Sequence, residues 1–303
     1  MDLEALLIEP FSARFMQRAL LTAAMLGVSG ALVGTVLVLR RLALVADSFG
    51  HALLPGVAIA WVLAGASLAA MGLGALAGGV FAVVVSMALS RGTRLKEDAA
   101  FGALFTILFA LGAAILSSQA TPTDLGHWLL GNILAITADD ARLCAGALTL
   151  TLLAMAVGWR GVVLECFDRG FYRASGGAST VTHALILLVM TVNLIAALQA
   201  VGTVLSLGLF VLPAVSALLW CRSLPGVVLL AACLGPLGAV AGLLASYHLN
   251  AASGACMVLA LGAVFAVSCL AGPYGIIRRR WRRRRHLAEH GAGDCAIDGH
   301  PHR

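Results

Sequence analysis

Charge is what this chain has least of. Only 11% of its 303 residues are Asp, Glu, Lys or Arg, against about 25% in an ordinary soluble domain. With 61% hydrophobic residues and a mean hydropathy of +0.98, a water-soluble globule is excluded and an all-α polytopic membrane protein is expected. Lysine is nearly missing, since Lys96 stands alone between Leu95 and Glu97. A Gly-Lys-Ser/Thr phosphate loop is therefore impossible in this chain. His-Glu-x-x-His and Gly-x-Ser-x-Gly are also missing, which removes zinc-protease and serine-hydrolase chemistry. The cysteines Cys144, Cys166, Cys221, Cys233, Cys256, Cys269 and Cys295 form no Cys-x-x-Cys pair and are odd in number. That pattern argues against a disulfide framework and a thiolate metal site, and leaves them as small core residues. A cleavable leader is not expected either. Asp2, Glu4 and Glu9 stand where a basic region would be, and the first long apolar run begins only near Phe15.

The formal charge of +6 does not indicate nucleic acid. Seven arginines between Arg278 and Arg285 follow the last apolar run directly, which is the placement of a positive-inside anchor against anionic lipid. No folded basic module accompanies them. The 34 glycines suit membrane helices that approach closely, and Gly74 with Gly78 and Gly238 with Gly242 each supply a small-xxx-small face.

In chain order, residues 1–14 read as an amphipathic lead-in, 15–277 as the transmembrane domain, and 278–303 as a basic, then polar and disordered, cytoplasmic tail. The first span runs over 15–39 and stops at Arg40 and Arg41; the second covers 42–63, and the third ends at Ser90. The cluster Arg91 to Asp98 reads as a cytoplasmic loop before a fourth span over 99–116. A polar loop from Ser117 to Asp140 carries Pro122, Asp124, His127 and the run Gly131 to Thr137, and a fifth span covers 141–158. The charged, aromatic segment Glu165 to Arg173 reads as a short surface helix stopped by Gly176 and Gly177. The forty apolar residues 181–220 are twice the length of one crossing, so the chain must fold back near Gln199 to Gly202. Two more spans, 227–246 and 252–271, are joined by Tyr247 to Asn250. Placing every arginine-bearing loop inside gives nine crossings with the N-terminus outside. Making the second segment re-entrant gives eight with it inside, and hydropathy does not separate the two.

Scarce polar chemistry collects at Asp47-Ser-Phe-Gly-His51-Ala-Leu-Leu-Pro55-Gly56. Asp47 is the only acid placed well inside a span, and an intramembrane carboxylate is a functional-site candidate by default. His51 follows at i+4, on the same helical face. A carboxylate with an imidazole suits Mn2+, Fe2+ or Zn2+ better than Ca2+ or Mg2+. Two ligands do not fill a coordination shell, but a second copy across a two-fold axis would double them. An internal Asp47–His51 hydrogen bond that only neutralises a buried acid is the plainer alternative. Pro55 and Gly56 mark a helix break near the site, with Pro55 leaving a carbonyl near His51 without its usual donor. His183 and His248 lie near span ends and read as capping or interfacial, His127 as able to touch an incoming ligand, and the tail histidines His286, His290, His300 and His302 as without a specific role. A channel, an ion-coupled carrier relaying protons through Asp47 and His51, and the membrane subunit of a pump with a separate ATPase all remain open.

The run Leu39 to Gly56 resembles the signature of the ABC transporter permeases for manganese, zinc and iron. Thr93 to Ala99, Gly131 to Thr137, Phe167 to Gly176 and Gly202-Thr-Val-Leu-Ser-Leu-Gly-Leu-Phe-Val-Leu-Pro213 fall in that family's order. The resemblance implies an ABC importer permease bundle of 8–9 transmembrane helices in the bacterial inner membrane. It implies a homodimer of permeases, cytoplasmic ATP-binding cassette subunits that carry the ATP, and an external metal-binding receptor. It puts Asp47 and His51 on the path of the transported Mn2+, Zn2+ or Fe2+. It makes the segment with Phe167, Asp168, Arg169, Phe171, Arg173, Ala174 and Gly176 the coupling helix that docks on the ATPase. No cofactor in this chain and no enzymatic activity of its own are expected. Where family members often show Leu-Asp-x-Pro-Ser-Gly, this chain has Leu249-Asn-Ala-Ala-Ser-Gly254.

Overall fold

The structure is a computed structural model that describes residues 14–65, 67–94, 97–117, 133 and 136–275. The lead-in apart from Arg14, the tail from 278, and most of the polar loop, with Pro122, Asp124 and His127, lie outside the described residues. Among the described residues there is no strand. The helices are α1 (Arg14–Leu39), α2 (Ala43–Ala52), α3 (Leu54–Ala64), α4 (Leu68–Gly92), α5 (Glu97–Ser117), α6 (Ala138–Phe167), α7 (Arg169–Ala174), α8 (Ser179–Val201), α9 (Thr203–Leu218), α10 (Leu224–Leu249) and α11 (Ser253–Ala271). Seven of them are long and apolar enough to cross a membrane, and Ser48–Ala64 and Ser206–Leu218 form shorter apolar stretches.

Two helices form the centre. In α1 and α8, 72% of the most apolar window is buried, against 17–39% in the other long helices. The outer helices present Val157, Leu229, Leu237 and Leu259 outward, as lipid-facing surfaces do. Inside, missing side chains set the helix crossings. A Cβ on Gly34 would overlap the carbonyl of Phe210 on α9, and one on Gly27 would fall 2.6 Å from the backbone of Pro236 on α10. Both small-xxx-small faces lie at such crossings. Gly74 and Gly78 pack on Gly56 of α3, and Gly238 and Gly242 on Leu261 and Met257 of α11. With lipid as apolar as the helix surfaces, this close backbone contact is what holds such helices together.

Local chemistry sets the ends. Thr137 and Asp140 form a reciprocal capping box at the start of α6. Gly202, at φ 92°, makes the turn between α8 and α9, within the stretch where the length of the apolar run demanded a fold-back. Asn250, at φ 50°, ends α10 in the left-handed conformation that Asn adopts readily. Between α1 and α2 the link is tighter still. Leu42 N donates to Leu37 O at 2.8 Å, Arg41 N donates to Val38 O at 3.1 Å, and Arg41 has φ 58°, a Schellman turn with arginine in the usual glycine position. One element differs in extent from the sequence expectation. α6 does not end near Gly158 but continues to Phe167, 30 residues in all. At 1.5 Å per residue it is about 45 Å long against a hydrocarbon layer of about 30 Å, so its last turns, carrying Arg160 and Glu165, project beyond the layer without a helix-breaking residue to stop them.

Candidate functional site

Asp47 and His51 both lie on α2, one turn apart. The helix is interrupted at Leu53, whose backbone stays near helical values (φ −74°, ψ −22°), and resumes with Pro55 in the first turn of α3. The His51 carbonyl, whose α-helical donor would have been the missing N–H of Pro55, takes the N–H of Leu53 instead. The expected carbonyl without a donor is thus partnered in this structure. Around the break the backbones close up. A Cβ on Gly112 of α5 would meet Pro55 N at 2.9 Å, and one on Gly56 would run into the Gly74 carbonyl of α4. The break is therefore clamped between α4 and α5.

Two aromatic residues on α5 hold the His51 ring. Its centroid is 5.6 Å from that of Phe105 and 5.7 Å from that of Phe109, the latter edge-on at 88°, and the two phenyl rings are 5.8 Å from each other. This i,i+4 aromatic pair fixes the ring orientation. It offers nothing polar in return, and His51 Nδ1 is buried without a hydrogen-bond partner among the described residues. A buried ring nitrogen left so costs about 1–3 kcal/mol, a penalty that a cation passing this point would relieve. Among the described residues no three His, Cys, Asp or Glu side chains could hold a metal ion together. Phe105 and Phe109 carried no sequence signal, because aromatics on an apolar helix read as ordinary lipid-facing or core residues.

The charged segment after α6 forms α7, a helix of 6 residues. Asp168 caps it, accepting from Phe171 N at 2.8 Å. Tyr172 and Arg173 tie it to α8 through Tyr172 Oη···Thr182 Oγ1 at 3.0 Å and Arg173 Nε donating to Ser179 Oγ at 3.3 Å. Ala174 is its last residue, and Gly176, at φ 80°, turns the chain away. Phe167 and Phe171 remain 65% and 58% exposed. A short helix fastened on one side and apolar on the other has the form of a docking knob.

Behind α7 lies a cluster that sequence reading missed. Glu165 is fully buried, with Arg169 Nε 2.7 Å and Arg40 Nη2 3.8 Å from its Oε1. The Arg169 contact is short but off-axis, an ion pair without hydrogen-bond geometry. Arg40 Nη1 donates to His183 Nδ1 at 2.6 Å, which puts the ring proton on Nε2. His183 is 5% exposed, so it is an internal residue of the bundle and not the interfacial one its position near a span end implied. The charges of Arg40, Arg91 and Arg173 all bear on it, so arginines from three separate helix ends lie around it at one end of the molecule.

These features define a class, the multi-pass membrane permease: a helical bundle with a helix broken just after His51 and a short fastened helix at one end. The chain belongs to the ABC 3 transport family, which it matches over residues 12–272, and it is a transport subunit without enzymatic activity of its own. It is 36% identical over 276 residues to the manganese transport system membrane protein MntC of Halalkalibacterium halodurans, covering 90% of this chain and 93% of that one. It is 32% identical over 266 residues to the chelated iron transport system membrane protein YfeD of Yersinia pestis, covering 88% of each. Among solved structures, PsaBC from Streptococcus pneumoniae in complex with Fab superposes with a TM-score of 0.80 at 28% identity, over 95% of this chain and 100% of that chain.

Proposed function

We propose that this chain is the membrane permease of an ATP-driven importer for a divalent transition metal, with manganese or iron(II) ahead of zinc as cargo. Asp47 and His51 are the ligands that each copy offers to the passing ion, and two copies face each other so that the pair of ligands is doubled. Their α2–α3 segments line the path, and eight or nine helical segments cross the inner membrane with the arginine-rich ends and the C-terminus inside. Phe167 and Phe171 dock on a separate ATPase subunit, and an external receptor delivers the metal. The observation that carries this reading is the His51 ring, held by Phe105 and Phe109 one turn after Asp47, with a buried nitrogen that has no hydrogen-bond partner among the described residues. The relatives named for manganese and iron transport supply the cargo class.

The test is uptake of radioactive Mn2+ into proteoliposomes containing the permease with its ATPase. ATP-dependent uptake is expected, abolished in Asp47→Ala/His51→Ala with assembly intact. Undiminished uptake by that variant would remove the site, and equal uptake by the permease alone would favour an ion-coupled carrier.

A further inference from the structure

We infer that Glu165 is a positioning residue that links the coupling helix to the helix bearing the metal ligands. The inference rests on the importer reading above and adds a residue that the reading does not need. Glu165 stands three residues before Asp168, the cap of α7, and its carboxylate is shared between Arg169 on α7 at 2.7 Å and Arg40 at the end of α1 at 3.8 Å. The Glu165 side chain is 0% exposed and that of Arg40 4%, while Arg169 is 34% exposed. In that setting an ion pair is weakly screened, and removing Glu165 takes away the acid that both arginines approach.

Arg40 is not a passive end of the chain. The Schellman turn through Arg41 joins it to α2 with no slack: Leu42 N donates back to Leu37 O, and Leu42 O accepts from Ala46 N of α2. Asp47 follows Arg40 by seven residues and His51 by eleven. At its other side chain nitrogen Arg40 is held by His183 on the central helix α8. A displacement of α7 is therefore passed through Arg169 and Glu165 to Arg40, and α2 must follow because its connection to α1 cannot stretch. α8 supplies the fixed side against which the movement is made. The bonds of Tyr172 and Arg173 fasten α7 to α8 and do not touch Arg40.

The experiment uses the full permease–ATPase complex in proteoliposomes, with the native cysteines replaced by alanine and Gly50→Cys as a reporter on α2. A Cβ at position 50 meets open space, so the reporter is accommodated. Two readouts are taken: the change in reactivity of the reporter towards a membrane-impermeant thiol reagent on adding ATP, and Mn2+ uptake per ATP hydrolysed. Glu165→Gln is expected to keep assembly and ATP hydrolysis but to reduce the ATP-driven reactivity change and the uptake ratio roughly tenfold, within the range of residues that carry coupling between sites. Glu165→Asp is expected to restore part of both. Arg169→Gln, at the more exposed partner, should act in the same direction, and Glu165→Gln/Arg169→Gln should do no more than Glu165→Gln alone. Wild-type reactivity change in Glu165→Gln, or additive losses in the double variant, would overturn the inference. Should Glu165→Gln fail to assemble, Arg169→Gln decides: a reduced change supports the link and a wild-type change refutes it. The reporter signal needs no metal. A wild-type complex that shows it but takes up no Mn2+ would therefore refute the cargo assignment, while the comparison with Glu165→Gln still decides the link.

Discussion

Replacing Gly56 by alanine is a sharp test of how the site is built. A Cβ at position 56 would sit 2.1 Å from Gly74 O, 2.9 Å from Gly74 C and 3.1 Å from Gly78 Cα. Every one of these neighbours is backbone, so no side chain can rotate away. Ordinary contact begins near 3.4 Å, and α3 and α4 would have to separate by roughly 1 Å at their crossing, losing dispersion contacts along both helices. Overpacking of this kind costs about 1–3 kcal/mol. The internal control is Gly50→Ala, six residues earlier on α2, where the Cβ meets nothing within 4 Å. There the gain from replacing a helical glycine is about 0.5–1 kcal/mol. The two substitutions add the same methyl group to the same polar stretch and should move stability in opposite directions. Thermal midpoints in detergent, followed by loss of the monodisperse peak in size-exclusion chromatography, should fall for Gly56→Ala and hold or rise for Gly50→Ala. Equal behaviour of the two would refute the claim that the helix break is clamped by direct backbone contact with α4.

Two further outcomes follow from single residues. Arg41, at φ 58°, pays the left-handed penalty of about 1–2 kcal/mol, so Arg41→Gly should raise the thermal midpoint and Arg41→Val lower it; the reverse order would contradict the Schellman turn. Phe167→Ser and Phe171→Ser remove exposed apolar surface without disturbing the bonds of Tyr172 and Arg173 to α8. They should weaken co-purification of the ATPase subunit while leaving the midpoint of the isolated permease unchanged.

Much of the fold was legible because bilayer thickness limits how long an apolar run can be. The forty apolar residues from 181 had to turn, and Gly202 is where they do. The arginines that marked the predicted inner loops also meet in space, as Arg40, Arg91 and Arg173 do around His183. Local spacing put Asp47 and His51 one helical turn apart, and the structure has both on α2. What one-dimensional reading could not supply is contact between distant segments. Glu165 looked like a loop acid because the aromatic and arginine residues around it signal a membrane boundary. Its burial depends on Arg40, 125 positions away. The cage around His51 was hidden for a related reason, since Phe105 and Phe109 differ in no local feature from Phe101 of the same helix, which is an ordinary core residue. His183 was misplaced because closeness to a span end in sequence says nothing about which side of the helix faces the bundle.

The central claim is that each copy contributes Asp47 and His51 to one shared metal position. Its most direct test is equilibrium binding of Mn2+ to the purified permease complex, with the ion counted against the permease chains. The account predicts one tightly bound Mn2+ for every two chains, lost in Asp47→Ala. One Mn2+ per chain, or tight binding that survives in Asp47→Ala, would contradict it.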